Sequence, residues 1–145
     1  MAKSRLPALP ARAMVGISNT PVGTAEPEPK ALLGTGLGDP ANDWLCYWCL
    51  NRVASEAERA YFNGQSEFTF RNPDGIKFHI MTFSRAPGCE HVGLPTEQYT
   101  WFPGHAWRYS VCKRCRMQLG WHYTGPTEFV GLIRDRLVRA GLVLS

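Results

Sequence analysis

No aromatic residue occurs in the first 43 positions; all 17 Trp, Tyr and Phe residues fall between Trp44 and Phe129. Charge is scarce as well, at 19% against about a quarter in an ordinary soluble domain. Long apolar runs are missing, and no stretch reaches the roughly 18 residues that a membrane-spanning helix needs. These shortages exclude a coiled coil and a wholly disordered chain, and no helix of this chain is expected to span a membrane. The net charge of +4 is too small to imply a nucleic-acid partner.

What remains is 145 residues with 14 glycines, 11 prolines, five tryptophans and five cysteines, enough for one ordinary domain. Six of the prolines and five of the glycines precede Trp44. Charges there balance, with Lys3, Arg5, Arg12 and Lys30 against Glu26, Glu28, Asp39 and Asp43. A segment so poor in large apolar side chains cannot offset its chain entropy. Residues 1–43 are therefore expected to be a disordered Pro/Gly-rich arm, extended around Pro27 and Pro29. Residues 44–145 are expected to be the folded domain. Pro7, Pro10 and Arg12 interrupt any secretory-type apolar core, so a cytoplasmic protein is expected.

The cysteines carry the clearest chemistry. Cys46-Tyr-Trp-Cys49 and Cys112-Lys-Arg-Cys115 are two C-x-x-C pairs separated by 62 residues. Each pair lets one tight turn aim two thiolates at one ion, and two turns complete a tetrahedral four-sulfur shell of the kind zinc accepts. Four protein ligands leave no open position, so one structural zinc is expected. A redox motif needs only one pair, and disulfides need an oxidising compartment. Cys89, in Ala86-Pro87-Gly88-Cys89-Glu90, reads as an ordinary free thiol in a turn, with His91 the nearest base.

The local pattern is mostly β. Glu67–Phe70 alternates, Asn72-Pro73-Asp74-Gly75 supplies a turn, and Ile76–Phe83 resumes the alternation, predicting a hairpin with Ile76, Phe78 and Ile80 on one face. Arg108–Cys112 and Leu119–Tyr123 read as strands entering and leaving the second cysteine turn. Ser55–Tyr61 suits a turn or two of helix. Phe129–Leu137 fits helix and strand alike. Lys113, Arg114 and Arg116 read as a solvated turn, and Arg134 and Arg136 as lining a solvent face beside Asp135. Trp101, Trp107 and Trp121 either wall a small pocket or fill the core beside the metal.

Together, Trp101-Phe102-Pro103-Gly104-His105-Ala106-Trp107, Cys112-x-x-Cys115, Leu119-Gly120-Trp121-His122-Tyr123 and Phe129–Arg134 resemble the CULT domain, the thalidomide-binding domain of cereblon. The likeness runs from about Trp44 to Leu137 and is closest to short bacterial cereblon-like proteins. It implies two antiparallel sheets at a steep angle, a β-tent, pinned by a four-cysteine zinc site, with Phe129–Leu137 as strand. It also implies a cage of Trp101, Trp107 and Trp121 around a glutarimide-type cyclic imide, with Tyr123 at the floor, Asn72, Pro73 and Phe78 beside the ligand, and polar contacts from the backbone around Tyr99 and Trp101. Two positions depart from the human-type pattern, Tyr99 and Asp74, each standing where a histidine is usual. The expected partner is a cyclic imide, a uridine-like ring or a cyclised chain end. No enzyme activity, membrane, nucleic acid or ubiquitin-ligase adaptor is expected. The competing readings are a methionine sulfoxide reductase B-like enzyme using Cys89, and an aromatic cage for a methylated ammonium completed by Asp74 or Glu97.

Overall fold

The structure is a computed structural model that describes residues 39–143; most of the expected N-terminal arm, residues 1–38, lies outside the described residues. The described fold starts ahead of Trp44. Pro40–Asn42 forms a 3-10 turn capped by the Asp39 carboxylate, and Asp43 already opens the first strand.

Nine strands follow: β1 (Asp43–Cys46), β2 (Arg52–Ser55), β3 (Glu67–Arg71), β4 (Lys77–Phe83), β5 (Cys89–Thr96), β6 (Ala106–Cys112), β7 (Gln118–Thr124), β8 (Phe129–Ile133) and β9 (Leu137–Arg139). A short helix, α1 (Ala140–Val143), ends the described chain. The strands make two antiparallel sheets, of order β9-β1-β2 and β3-β4-β8-β7-β6-β5. The mostly β architecture is therefore as the sequence implies.

Local chemistry explains the elements. In the β3–β4 hairpin the Asn72 carboxamide oxygen accepts from the backbone N–H of Asp74 and of Ile76, both at 2.9 Å. Gly75 takes a positive φ of 84°, which closes the turn without a side-chain clash. Phe78 and Ile80 face inward as expected. Ile76 does not: it sits in the turn before β4 and is exposed. The segment after Ser55 is a single 3-10 turn, Glu56–Glu58, capped by the Ser55 hydroxyl. Residues 129–137 resolve into β8, a 3-10 turn over Arg134–Arg136, and the start of β9.

Because strand side chains alternate, the six-stranded sheet builds a core on each face. One face gathers Phe68, Phe70, Phe78, Ile80, Phe129, Tyr123, Trp121 and Trp107. The other sets Met81, Phe83, Val130 and Leu132 against Trp44, Val53, Ala54 and Leu137 of the small sheet. Arg134 and Arg136 belong to this packing rather than to a solvent face. The Arg134 guanidinium lies 4.9 Å from the centre of the Trp44 ring, and Arg136 donates to the Gln118 carbonyl at 2.9 Å. A cation over an indole face is attracted by the ring quadrupole, which draws Arg134 inward.

The β4–β5 connection crosses the small sheet at Gly88, whose N–H donates to the Val53 carbonyl at 3.0 Å. A Cβ there would lie 2.1 Å from the Arg52 carbonyl oxygen and 2.7 Å from Val53 Cα. Both obstacles are backbone. Gly88→Ala is expected to lower stability by about 2 kcal/mol or more, read as a shift in urea midpoint; an unchanged midpoint would show that the crossing is loose.

Candidate metal centre and aromatic site

The two C-x-x-C turns have the same construction. Cys46 ends β1 and Cys112 ends β6. In each turn the residue after the second cysteine adopts a left-handed conformation, Leu50 at φ 61° and Arg116 at φ 69°. Their N–H groups return to the carbonyl of the first cysteine, Leu50 to Cys46 at 2.8 Å and Arg116 to Cys112 at 2.9 Å. The first cysteine then donates its own N–H one residue further on, Cys46 to Asn51 at 2.9 Å and Cys112 to Met117 at 2.8 Å. Neither left-handed residue is a glycine, so nothing in the sequence marks this conformation.

Together the turns bring the sulfurs of Cys46, Cys49, Cys112 and Cys115 within 4.8 Å of one another. Cys46 Sγ lies 3.7 Å from Cys115 Sγ, and Cys49 Sγ 3.6 Å from Cys112 Sγ. Metal–sulfur bonds of about 2.3 Å in a tetrahedron require sulfur separations of about 3.8 Å. The four residues fit one tetrahedral metal ion. Burial alone would raise the Cys112 thiol, yet its pKa is brought down to about 7 by the N–H groups of Cys115 and Arg114 and by the Cys49 and Asn51 side chains. The same donors would stabilise a metal-bound thiolate. Lys113, Arg114 and Arg116 are exposed around this tip, as the solvated-turn reading has it.

Cys89 is not in a turn. It opens β5, lies opposite Cys112 across the β5–β6 pair, and is buried. Burial above all, then the nearby Cys112, pushes its thiol up to about 12. Such a thiol is a poor nucleophile at neutral pH.

The aromatic site occupies the opposite face of the large sheet. Trp101 and Trp121 meet edge to face, with centroids 5.0 Å apart at 78°. Phe78 touches both, at 5.9 Å from Trp101 and 5.4 Å from Trp121. Trp107, neighbour of Tyr123 across the β6–β7 pair, belongs to the same buried cluster and packs on Tyr109 at 5.3 Å. Tyr123 is buried between Phe102 and Phe129, and burial pushes its phenol pKa up. Trp101 Nε1 donates to the Arg71 carbonyl at 3.3 Å, tying the Asn72-Pro73 turn to the cluster. Asn72 is buried by that turn, whereas Tyr99 stays outside the cluster, half exposed, with a left-handed φ of 58°.

Sequence reading missed Phe70. Its ring stacks on Trp101 at 4.9 Å and 15°. The signal was present, because hairpin register sets Phe70 opposite Phe78. One polar group in the cluster is unsatisfied: Trp121 Nε1 is buried and has no hydrogen-bond partner. Trp107 Nε1, by contrast, donates to the Gln98 carbonyl at 2.8 Å.

No family model matches the chain. Among curated proteins it is similar to "Protein cereblon" of Danio rerio, 32% identical over 73 residues, 46% of this chain and 17% of that protein. It is 35% identical over 72 residues to the Xenopus tropicalis protein of the same name, 46% of this chain and 16% of the relative. With the Drosophila erecta protein the match is 28% over 98 residues, 61% of this chain and 17% of the relative. The chain thus spans about a sixth of the length of these relatives. The resemblance read from the tryptophan and cysteine motifs is found again in these proteins. They also correct one expectation. Cereblons are substrate receptors of ubiquitin-ligase complexes, so the expected absence of any ubiquitin-ligase adaptor does not stand.

Cys112→Ser removes one ligand from the centre that joins the sheets. It is expected to abolish stoichiometric metal retention and to lower the melting temperature by about 10 °C or more, since a structural site contributes directly to folding. Elemental analysis and calorimetry on the purified variant check this; full metal content with an unchanged transition would overturn the assignment.

Proposed function

We propose that this chain binds a small cyclic imide in the cluster of Trp101, Trp107 and Trp121, and that its four cysteines hold one structural zinc. The chain then works as a binding module, without chemistry of its own. The observation that carries the reading is the orphaned indole N–H of Trp121. A buried donor without an acceptor costs about 1–3 kcal/mol, and a ring carbonyl lodged among the indoles would satisfy it. Apolar indole faces suit the methylenes of a flat neutral ring, and backbone groups near Tyr99 and Trp101 suit its imide edge. Asn72, Pro73, Phe78 and Tyr123 complete the proposed surroundings. Glutarimides, uridine-like rings and C-terminal cyclic imides share that chemistry.

The similarity to cereblon supports this choice over its rivals. A sulfoxide reductase of the same architecture needs a reactive thiol at the aromatic pocket, whereas Cys89 is buried on the other face of the sheet with a raised pKa. For the metal, sulfur separations that suit bonds of about 2.3 Å and an all-thiolate shell favour zinc. Thiolates kept reduced for that purpose agree with a cytoplasmic location.

Titrating the metal-loaded full chain with a glutarimide is expected to give a saturable change in tryptophan fluorescence. Trp121→Phe keeps an aromatic ring but removes the N–H, and is expected to weaken binding about tenfold, the loss of roughly one hydrogen bond. An N-methylated glutarimide is expected not to bind. A flat response in the unmodified chain, or full affinity for the methylated ring, would sink the proposal.

A further inference from the structure

The small sheet covers only part of the second face of the large sheet. Beyond that cover the face is polar, with His91 on β5, Arg108 and Ser110 on β6, and His122 on β7. His91 lies opposite Ser110, and Ser110 opposite Gly120. These two small residues leave room for the imidazoles of His91 and His122 to meet above them, parallel to within 3° and 4.0 Å apart.

Hydrogen bonding orients the pair. Arg108 Nε is only a donor, so His122 Nδ1 accepts from it at 3.2 Å, and His122 Nε2 donates to the Glu128 carboxylate at 2.7 Å. His122 is only 3% exposed. His91 Nδ1 lies 2.7 Å from the buried Ser110 hydroxyl. With that hydroxyl donating, the His91 Nε2–H is free. Burial first, then the neighbouring His122 and Arg108 side chains, brings the His91 pKa down to about 4, so this ring is neutral at physiological pH.

Both rings line a cleft of about 220 Å³, walled by the Ser84–Cys89 segment and Lys113. A second cleft of about 330 Å³ adjoins it, and Arg85 and Lys113 line both. The acids of this region are already engaged: Asp43 with Arg52 at 2.9 Å, Glu58 with Arg85 at 3.6 Å, and Glu128 with His122. The Lys113 backbone N–H donates to the Gly88 carbonyl at 2.9 Å, holding the residue beside the clefts, while its ammonium has no ion-pair partner among the described residues. A metal ion does not suit the place. Parallel rings cannot converge their lone pairs on one ion, and His122 Nδ1 is turned to a guanidinium.

We propose that the cleft beside Lys113 is an anion subsite, in which the Lys113 ammonium and the His91 Nε2–H bind a phosphate or carboxylate group. Arg85 is 63% exposed and its pairing with Glu58 is long, so it can turn from that carboxylate to close over the anion. The subsite lies on the opposite face of the sheet from the tryptophans and does not depend on what they bind.

The test titrates the metal-loaded full chain with inorganic phosphate and, separately, with acetate, at ionic strength held constant with chloride, following the His91 and His122 ring resonances. Saturation at or below about 1 mM is expected for at least one anion, and the arm that saturates separates a phosphoryl from a carboxylate ligand. Lys113→Ala is expected to weaken binding at least tenfold, and Arg114→Ala, an exposed neighbour that lines neither cleft, to leave it unchanged. Shifts that climb linearly to about 50 mM with both anions, or an equal loss in Arg114→Ala, would mean diffuse charge attraction and overturn the proposal.

Discussion

The four-cysteine centre is the constraint on which the rest depends. Cys46 and Cys49 belong to the small sheet, Cys112 and Cys115 to the large one, and no other cluster of ligands joins the two among the described residues. A domain of about a hundred residues has a modest core, and here that core is divided between two faces of one sheet. A metal ion held by the four cysteines would supply what a single larger core otherwise provides. The second cysteine turn also fixes where β6 ends and β7 begins.

Division of labour between the faces follows from strand alternation. Trp121 and His122 are consecutive residues of β7, yet one joins the aromatic cluster and the other the histidine stack. Thus the β5–β7 part of the sheet carries an apolar surface and a polar one back to back.

The sequence made the four-cysteine cluster legible because C-x-x-C spacing encodes geometry directly, and it placed the β3–β4 hairpin because Asn-Pro-Asp-Gly encodes a turn. The tryptophans were legible as a group through their motif. Other features depended on tertiary partners. Cys89 looked like a loop residue beside Pro87 and Gly88, but pairing with Cys112 draws it into β5. Arg134 and Arg136 looked solvated because of Asp135, but Trp44 and the Gln118 carbonyl attract them inward. Phe70 was hidden by being read only as a hairpin residue, and the His91–His122 stack exists only once β5, β6 and β7 lie side by side. Leu50 and Arg116 gave no warning of their left-handed backbone, since neither is a residue that favours it.

The separation of the two cysteine turns along the chain has a consequence for biosynthesis. Cys112 follows Cys49 by 63 positions, so at about 5–20 residues per second a ribosome exposes the first pair several seconds before the second is made. During that wait two thiols stand ready with half a coordination shell, open to oxidation or to another protein's metal. Strand β9, which pairs with β1 through Leu137 and Cys46, is made later still. The small sheet, although it begins first, is therefore finished last, and the fold closes from its C-terminal end.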